Sequence, residues 1–231
     1  MGAGSVIHAA HEEQDIRKMG GISNFIPITH LMMIVGTISI MGFPFTSGFY
    51  SKDAIIETAY LSHSNFSTYA YLLITAGVVM TSFYSWRLIF LVFNGKSRMN
   101  EEKLSKVHES SSVMTVPLMI LALGALFFGF LFKNYFIGDY SESFWNHSIA
   151  THHEEHHHIP FYIYYLPILL GFLGLFIAWY MYIKNTKLAS EIAKMNKPLY
   201  EFLLNKWYFE KDNNSTVPVN NVSKMFKNFK L

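Results

Sequence analysis

The sequence predicts an all-α, polytopic integral membrane protein, a helical bundle with one discontinuous transmembrane helix. Hydrophobic residues make up 51% of the 231 and charged residues only 15%, with a positive mean hydropathy. The apolar residues are gathered into long blocks, as in chains that live in a bilayer. One block is interrupted by Gly42, Pro44 and Gly48, and the pair Lys52-Asp53 follows directly.

Residues 1–25 read as the end of a preceding helix and a cytoplasmic loop. Residues 26–62 form the interrupted span: Pro44 removes a backbone donor, and Gly42 and Gly48 relax the backbone, so the helix breaks and resumes. A break at membrane depth needs cover from protein or a wet cavity, so this block is expected to face other helices, not lipid. Residues 71–93, 113–133 and 159–183 are uninterrupted apolar runs that meet the requirement of roughly 20 residues per crossing. Residues 184–231 read as a cytoplasmic polar tail.

Orientation follows from Lys and Arg. Arg17 and Lys18, then Lys96, Arg98, Lys103 and Lys106, then Lys184, Lys187, Lys194 and Lys197 occupy alternate connections, which places both ends and the residue 94–112 loop in the cytoplasm. Trp86, Trp145, Tyr180 and Tyr182 fall near span ends, as interfacial aromatics do.

Composition excludes several classes. A net charge of +2, scattered between blocks, suggests no nucleic-acid partner. Zero cysteines exclude thiolate metal sites, iron–sulfur ligation and disulfides within the chain. The sequence has no dinucleotide fingerprint and no P-loop, so no hydride or electron transfer is expected here. No removable signal peptide is evident.

Lys52 and Asp53 are the leading candidates for chemistry. Ionisable groups near the apolar interior are costly and are read by default as parts of an ion or proton path. Desolvation can bring a lysine into a range useful for proton exchange, and a neighbouring carboxylate opposes that effect. Glu57, four residues after Asp53, shares its face if the helix resumes there. Spacing leaves a second reading open, in which Lys52 and Asp53 cap the second half-helix at an interface.

His8 is a weaker relay candidate within an ionisable stretch that also holds His11, Glu12, Glu13, Asp15, Arg17 and Lys18. Arg17 and Lys18 fit a structural role. His30 reads as a satisfied buried imidazole. His147, His152, His153, His156, His157 and His158 include i, i+4 pairs suited to a metal, but they lie in an outward loop, and no physiological metal site is expected. Gly124, Gly129, Gly171 and Gly174 are small residues that permit close helix approach.

The runs Gly2-Ala-Gly-Ser-Val-Ile-His8, His11-Glu-Glu-Gln-Asp-Ile-Arg-Lys-Met-Gly-Gly21 and Gly42-Phe-Pro-Phe-Thr-Ser-Gly-Phe-Tyr-Ser-Lys-Asp53 resemble the later part of the L subunit of NADH:quinone oxidoreductase. This is the subunit-five-like, antiporter-like family of respiratory complex I. Thr81–Phe90, Val113–Pro117 and Asn205–Phe209 continue the resemblance, which covers about residues 2 to 209. It implies a proton-translocating membrane-arm subunit, with Lys52 as terminal relay and Asp53 as its electrostatic neighbour. It also implies a location in the bacterial inner membrane. The implied partners are lipid and the other membrane subunits, while NADH, FMN, iron–sulfur clusters and quinone are expected in partner subunits. The chain starts mid-pattern and departs from it after Phe209, so a fragment or split-frame product is expected, with a separately encoded upstream piece as a candidate partner. A subunit of a multisubunit cation/proton antiporter and a non-functional truncated relic are the alternatives.

Overall fold

The computed structural model describes residues 1–62, 65–146, 148, 160–205 and 207. Among these the regular structure is helical: α1 (Gly2–Ala9), α2 (Pro27–Met41), α3 (Ser47–Leu61), α4 (Ser67–Val92), α5 (Glu101–Ser105), α6 (Ser112–Phe136), α7 (Ser141–Trp145), α8 (Phe161–Trp179), α9 (Leu188–Met195) and α10 (Lys197–Leu204). Helices α4 and α6, and α8 with its continuation, are long and apolar enough to cross a membrane. At 15 residues, α2 is apolar but short, so α2 and α3 together form the discontinuous element.

Helix bounds differ from the hydropathy blocks at their polar ends. Helix α4 begins at Ser67, α6 runs on to Phe136, and α8 continues through a single π-helical segment, Tyr180–Lys184. Hydropathy marks the apolar part of a helix, whereas backbone hydrogen bonding carries it into the interface. Pro117 and Pro167 sit inside α6 and α8, as spanning helices tolerate when neighbours re-satisfy the freed groups.

The chain divides into two units, Met1–Lys184 and Asn185–Leu231. In the first, the broken element lies between α4 and α6, and α8 packs extensively along α4. Small residues set that last contact. Ser82 Oγ donates to the Gly171 carbonyl at 2.6 Å, and a Cβ placed on Gly174 would stand 2.6 Å from the Val79 carbonyl oxygen and 2.8 Å from Ser82 Cβ. Such close backbone approach substitutes for the hydrophobic drive that lipid does not supply. Arg87 of α4 lies over the Tyr182 ring at 5.6 Å, with its buried Nε facing no hydrogen-bond partner.

A compact apolar cluster closes the end that carries the residue 10–26 and 94–111 connections, built from Val6, Ala10, Met19, Ile22, Ile89 and Phe93 among others. Arg98 ties these connections together, donating from Nε to the Arg17 carbonyl at 2.8 Å and from Nη2 to the Leu91 carbonyl at 2.6 Å. Elsewhere the bundle is thin. Only 11% of the most apolar stretch of α6 is buried, so most of that helix presents apolar surface outward. The broken element, expected to be covered, is covered in part, by α4, α6 and α8: Leu31 (55%), Phe45 (70%) and Ile55 (57%) stay exposed within this chain.

In the second unit, the stretch read as a polar tail carries α9 and α10. Leu188, Ile192 and Met195 recur at helical spacing in α9, and Phe202 of α10 meets the Trp207 ring at 5.0 Å.

Gly174→Ala should force α4 and α8 apart, costing about 1–3 kcal/mol as overpacking does. The check is a lower thermal-unfolding midpoint for the detergent-solubilised variant, and an unchanged midpoint would show that the contact is not limiting.

Candidate functional site: the broken helix

The break begins with a left-handed residue. Gly42 adopts φ 85° and its N–H donates to Ser39 O at 3.0 Å, while Phe43 N–H reaches back to Ile38 O at 3.2 Å. This paired pattern is the Schellman helix ending, and glycine suits it because a Cβ is penalised there. Two residues on, Pro44 occupies the position whose N–H would bond the Ile40 carbonyl in a continuing helix, and proline has none to give. Thr46 closes the turn, its Oγ1 donating to the Phe43 carbonyl at 2.7 Å. Phe45 takes φ 71°, a conformation that costs a bulky residue on the order of 1–3 kcal/mol and persists where its surroundings impose it.

Helix α3 then starts alongside the last turn of α2. A Cβ on Gly48 would fall 1.9 Å from the Ser39 carbonyl oxygen, so only glycine allows this approach. The half-buried Lys52 sits one turn further on, and its Nζ donates to the Ile40 carbonyl. The ammonium therefore takes the acceptor that Pro44 leaves unmet. It also places positive charge at the carbonyl end of α2, where the helix dipole favours a cation.

Asp53 faces elsewhere. It forms no ion pair with Lys52 among the described residues. With Ile56 and Glu57 it lines a space of about 10 Å³ closed by Ile163 and Tyr164 of α8. That is the lower limit for holding a single water. The structure thus separates two polar faces of α3, Lys52 against the end of α2 and Asp53 with Glu57 against α8.

Helix α6 clamps the break from the other side. Ser47 Oγ donates to the Gly124 carbonyl at 2.9 Å and accepts from Gly129 N–H at 2.8 Å, and Ser39 Oγ donates to the Ala125 carbonyl at 3.3 Å. A Cβ on Gly129 would stand 2.4 Å from Ser47 Cα. Sequence reasoning saw Gly124 and Gly129 only as small residues. Their shared partner, Ser47, lies 77 and 82 positions away with no local signal to mark it.

A second polar cluster, also unmarked in the sequence, holds the opposite end of α2. The Glu109 carboxylate accepts from the backbone N–H groups of Ile28 (2.9 Å) and Thr29 (3.3 Å) and from Thr29 Oγ1 (2.5 Å). Ser5 Oγ bonds the Thr29 hydroxyl at 2.9 Å and Ser110 Oγ at 2.5 Å. Ser5, Thr29 and Ser110 are buried.

The remaining candidates stand apart from Lys52. His8 lies one turn beyond Ser5, and its side chain is exposed. His30 stacks on Phe93 at 4.4 Å between ring centroids. Arg17 pairs with Asp15 at 2.8 Å and Lys18 with Glu13 at 3.7 Å. Hydrogen bonds from the Arg17 side chain, then from its backbone N–H, lower the Asp15 carboxyl from its ordinary 3.8 to about 2. His147, His152, His153, His156, His157 and His158 lie outside the described residues, and among the described residues no group of three or more His, Cys, Asp or Glu is placed to hold a metal ion.

Residues 1–84 match the family model for the transmembrane part of NADH:quinone oxidoreductases and Mrp antiporters, and residues 84–229 match the one for the NADH dehydrogenase subunit 5 C-terminus. The chain belongs to the NADH dehydrogenase subunit 5 family. Its similarity to NADH-ubiquinone oxidoreductase chain 5 of Phytophthora infestans is 41% identity over 216 residues, covering 90% of this chain and 32% of that protein. Chain 5 of Schizophyllum commune is likewise 41% identical, over 91% of this chain and 32% of its own length. NADH-quinone oxidoreductase subunit L of Rhodobacter capsulatus is 35% identical over 91% of this chain and 39% of its length. This subunit-5 family chain thus spans about a third of the length of the relatives it matches.

Pro44→Ala restores an N–H able to compete for the Ile40 carbonyl. Release of Lys52 should raise its labelling by an amine-reactive reagent about fivefold, the equivalent of one net hydrogen bond of about 1 kcal/mol. An unchanged rate would mean that Pro44 does not hold the site open.

Because Asp15 is lowered, its ionised form favours the folded loop above pH about 4. That contribution is lost as pH falls toward about 2. A carboxyl NMR titration should find the midpoint near 2 and, in Arg17→Ala, which keeps the backbone N–H donor, part of the way back toward the ordinary 3.8. A midpoint that does not move would acquit Arg17.

Proposed function

We propose that the chain is part of a membrane-arm subunit of an NADH:quinone oxidoreductase and contributes to proton translocation, with electron transfer carried by other subunits. The observation that carries this reading is the Lys52 ammonium held on the open Ile40 carbonyl at the helix break, in a chain of the subunit 5 family. A lysine on a single acceptor at a break between half-helices can change partner when a charge nearby moves, and that is what a relay group requires. Lys52 is the relay, Asp53 its electrostatic neighbour, and Glu57 and His8 are secondary relay candidates. Gly42, Pro44 and Gly48 create the break. The family model over residues 1–84 also names Mrp antiporters, while the subunit 5 match over residues 84–229 favours the dehydrogenase.

The partners on this reading are lipid and the other membrane subunits of the complex. NADH, FMN, iron–sulfur clusters and quinone belong to partner subunits, since the chain's zero cysteines leave no thiolate for a cluster. The Lys and Arg distribution puts residues 1–25, 94–112 and 184–231 on the cytoplasmic side of a bacterial membrane, or on the equivalent face of an energy-converting membrane in a eukaryote. Support for the wider statement comes from relatives in Phytophthora infestans as well as Rhodobacter capsulatus.

Blue-native separation of source membranes should find peptides of this chain in the dehydrogenase complex. Within that complex, Lys52→Met should lower proton translocation about 10²-fold, the scale of losing a positioned proton-transfer group, with assembly intact. Normal pumping in the assembled variant would sink the relay.

A further inference from the structure

Each end of α2 is held by a charge from outside the helix, Glu109 from the 94–111 connection and Lys52 from α3. At its start, the Glu109 carboxylate accepts from Ile28 N–H, Thr29 N–H and Thr29 Oγ1, which are groups that a helix leaves without internal partners. At its end, Lys52 Nζ donates to the Ile40 carbonyl. The signs match the helix dipole at both ends, anion at the amino end and cation at the carbonyl end. Between them runs a single element of 15 residues, about 22 Å at 1.5 Å per residue, with no proline after Pro27 at its start. Such an unbroken helix can carry a displacement from one end to the other.

The amino-end contact is partly buried, anchored on its Thr29 side. Thr29, which gives Glu109 two of its three bonds, is fully buried, and its hydroxyl is also bonded to Ser5, which in turn bonds Ser110. Ser5 belongs to α1 and Ser110 adjoins Glu109, so the cluster fixes two chain segments against the start of α2. Glu109 is thus bonded directly to the start of the helix whose other end presents the Ile40 carbonyl to Lys52.

We propose that Glu109 is a positioning residue for Lys52, acting through α2 as a rod that links the 94–111 connection to the helix break. This rests on the relay reading for its functional meaning. The mechanical link itself is independent of that reading. The link also runs in reverse: loss of the Lys52 contact loosens the amino end of α2, as reciprocity of coupling requires.

Hydrogen–deuterium exchange on the assembled chain in its membrane tests it, with Glu109→Ala and Lys52→Met compared to the parent. Glu109→Ala should speed exchange about fivefold at residues 28–30, the effect of a lost cap, and also measurably at residues 42–48, across the whole length of α2. Lys52→Met should speed exchange at residues 28–30 in turn. Faster exchange confined to residues 28–30 in Glu109→Ala overturns the proposal, since a merely local cap would act there alone. If Glu109→Ala does not assemble, Glu109→Gln, which keeps the shape and removes the charge, is read in the same way. Pumping supplies the second readout: Glu109→Ala should lower it, Glu109→Asp should restore most of it, and Glu109→Ala with Lys52→Met should pump no less than Lys52→Met alone. An additive double variant overturns action through Lys52. Should Lys52→Met pump normally, the relay reading fails while the exchange data still decide the link.

Discussion

The bond between the Lys52 ammonium and the Ile40 carbonyl organises the rest of the site. It exists because Pro44 cannot donate to that carbonyl and because Gly42, in the left-handed region at φ 85°, turns the chain away just before it. An unmet carbonyl at membrane depth is costly, and so is an unmet ammonium. Each cost is met by the other group. The contact therefore stands without a carboxylate partner.

Electrostatics at the two ends of α2 extends the same logic. An isolated helix of 15 residues is marginal in length and too short to span a bilayer. Glu109 and Lys52 compensate its exposed dipole at opposite ends, and Ser39 and Ser47 anchor its broken end to α6. Glu109 comes from the 94–111 connection, Lys52 and Ser47 from α3, and Ser39 from α2 itself. The half-helix is held by its neighbours more than by its own propensity.

Packing between helices follows the rule for membranes, with backbones approaching where side chains are smallest. Gly48 against Ser39, Gly129 against Ser47 and Gly174 against Val79 each leave no room for a Cβ. The apolar faces beyond these contacts remain open within the chain, most of all on α6. Lipid or neighbouring subunits are the surroundings in which such faces are stable. The wide exposure and the tight glycine contacts have one cause, a solvent as apolar as the helices themselves.

The sequence by itself determined the class, the long apolar helices and the place where one of them breaks, because these depend on local composition: block length, a proline without an N–H, and glycines that tolerate a turn. Lys52, Asp53 and Glu57 stood out for the same reason, as ionisable residues beside apolar ones. Tertiary structure decided which way they face. Adjacent residues on a helix point about 100° apart, so Lys52 meets the end of α2 while Asp53 and Glu57 meet Tyr164, and the pair that is contiguous in sequence divides between two neighbours in space. Glu109, Ser5 and Thr29 escaped notice because each is an ordinary polar residue in its own segment. Only the fold brings them together, across separations of 24 and 80 positions, since a carboxylate becomes a cap only when a helix end arrives beside it.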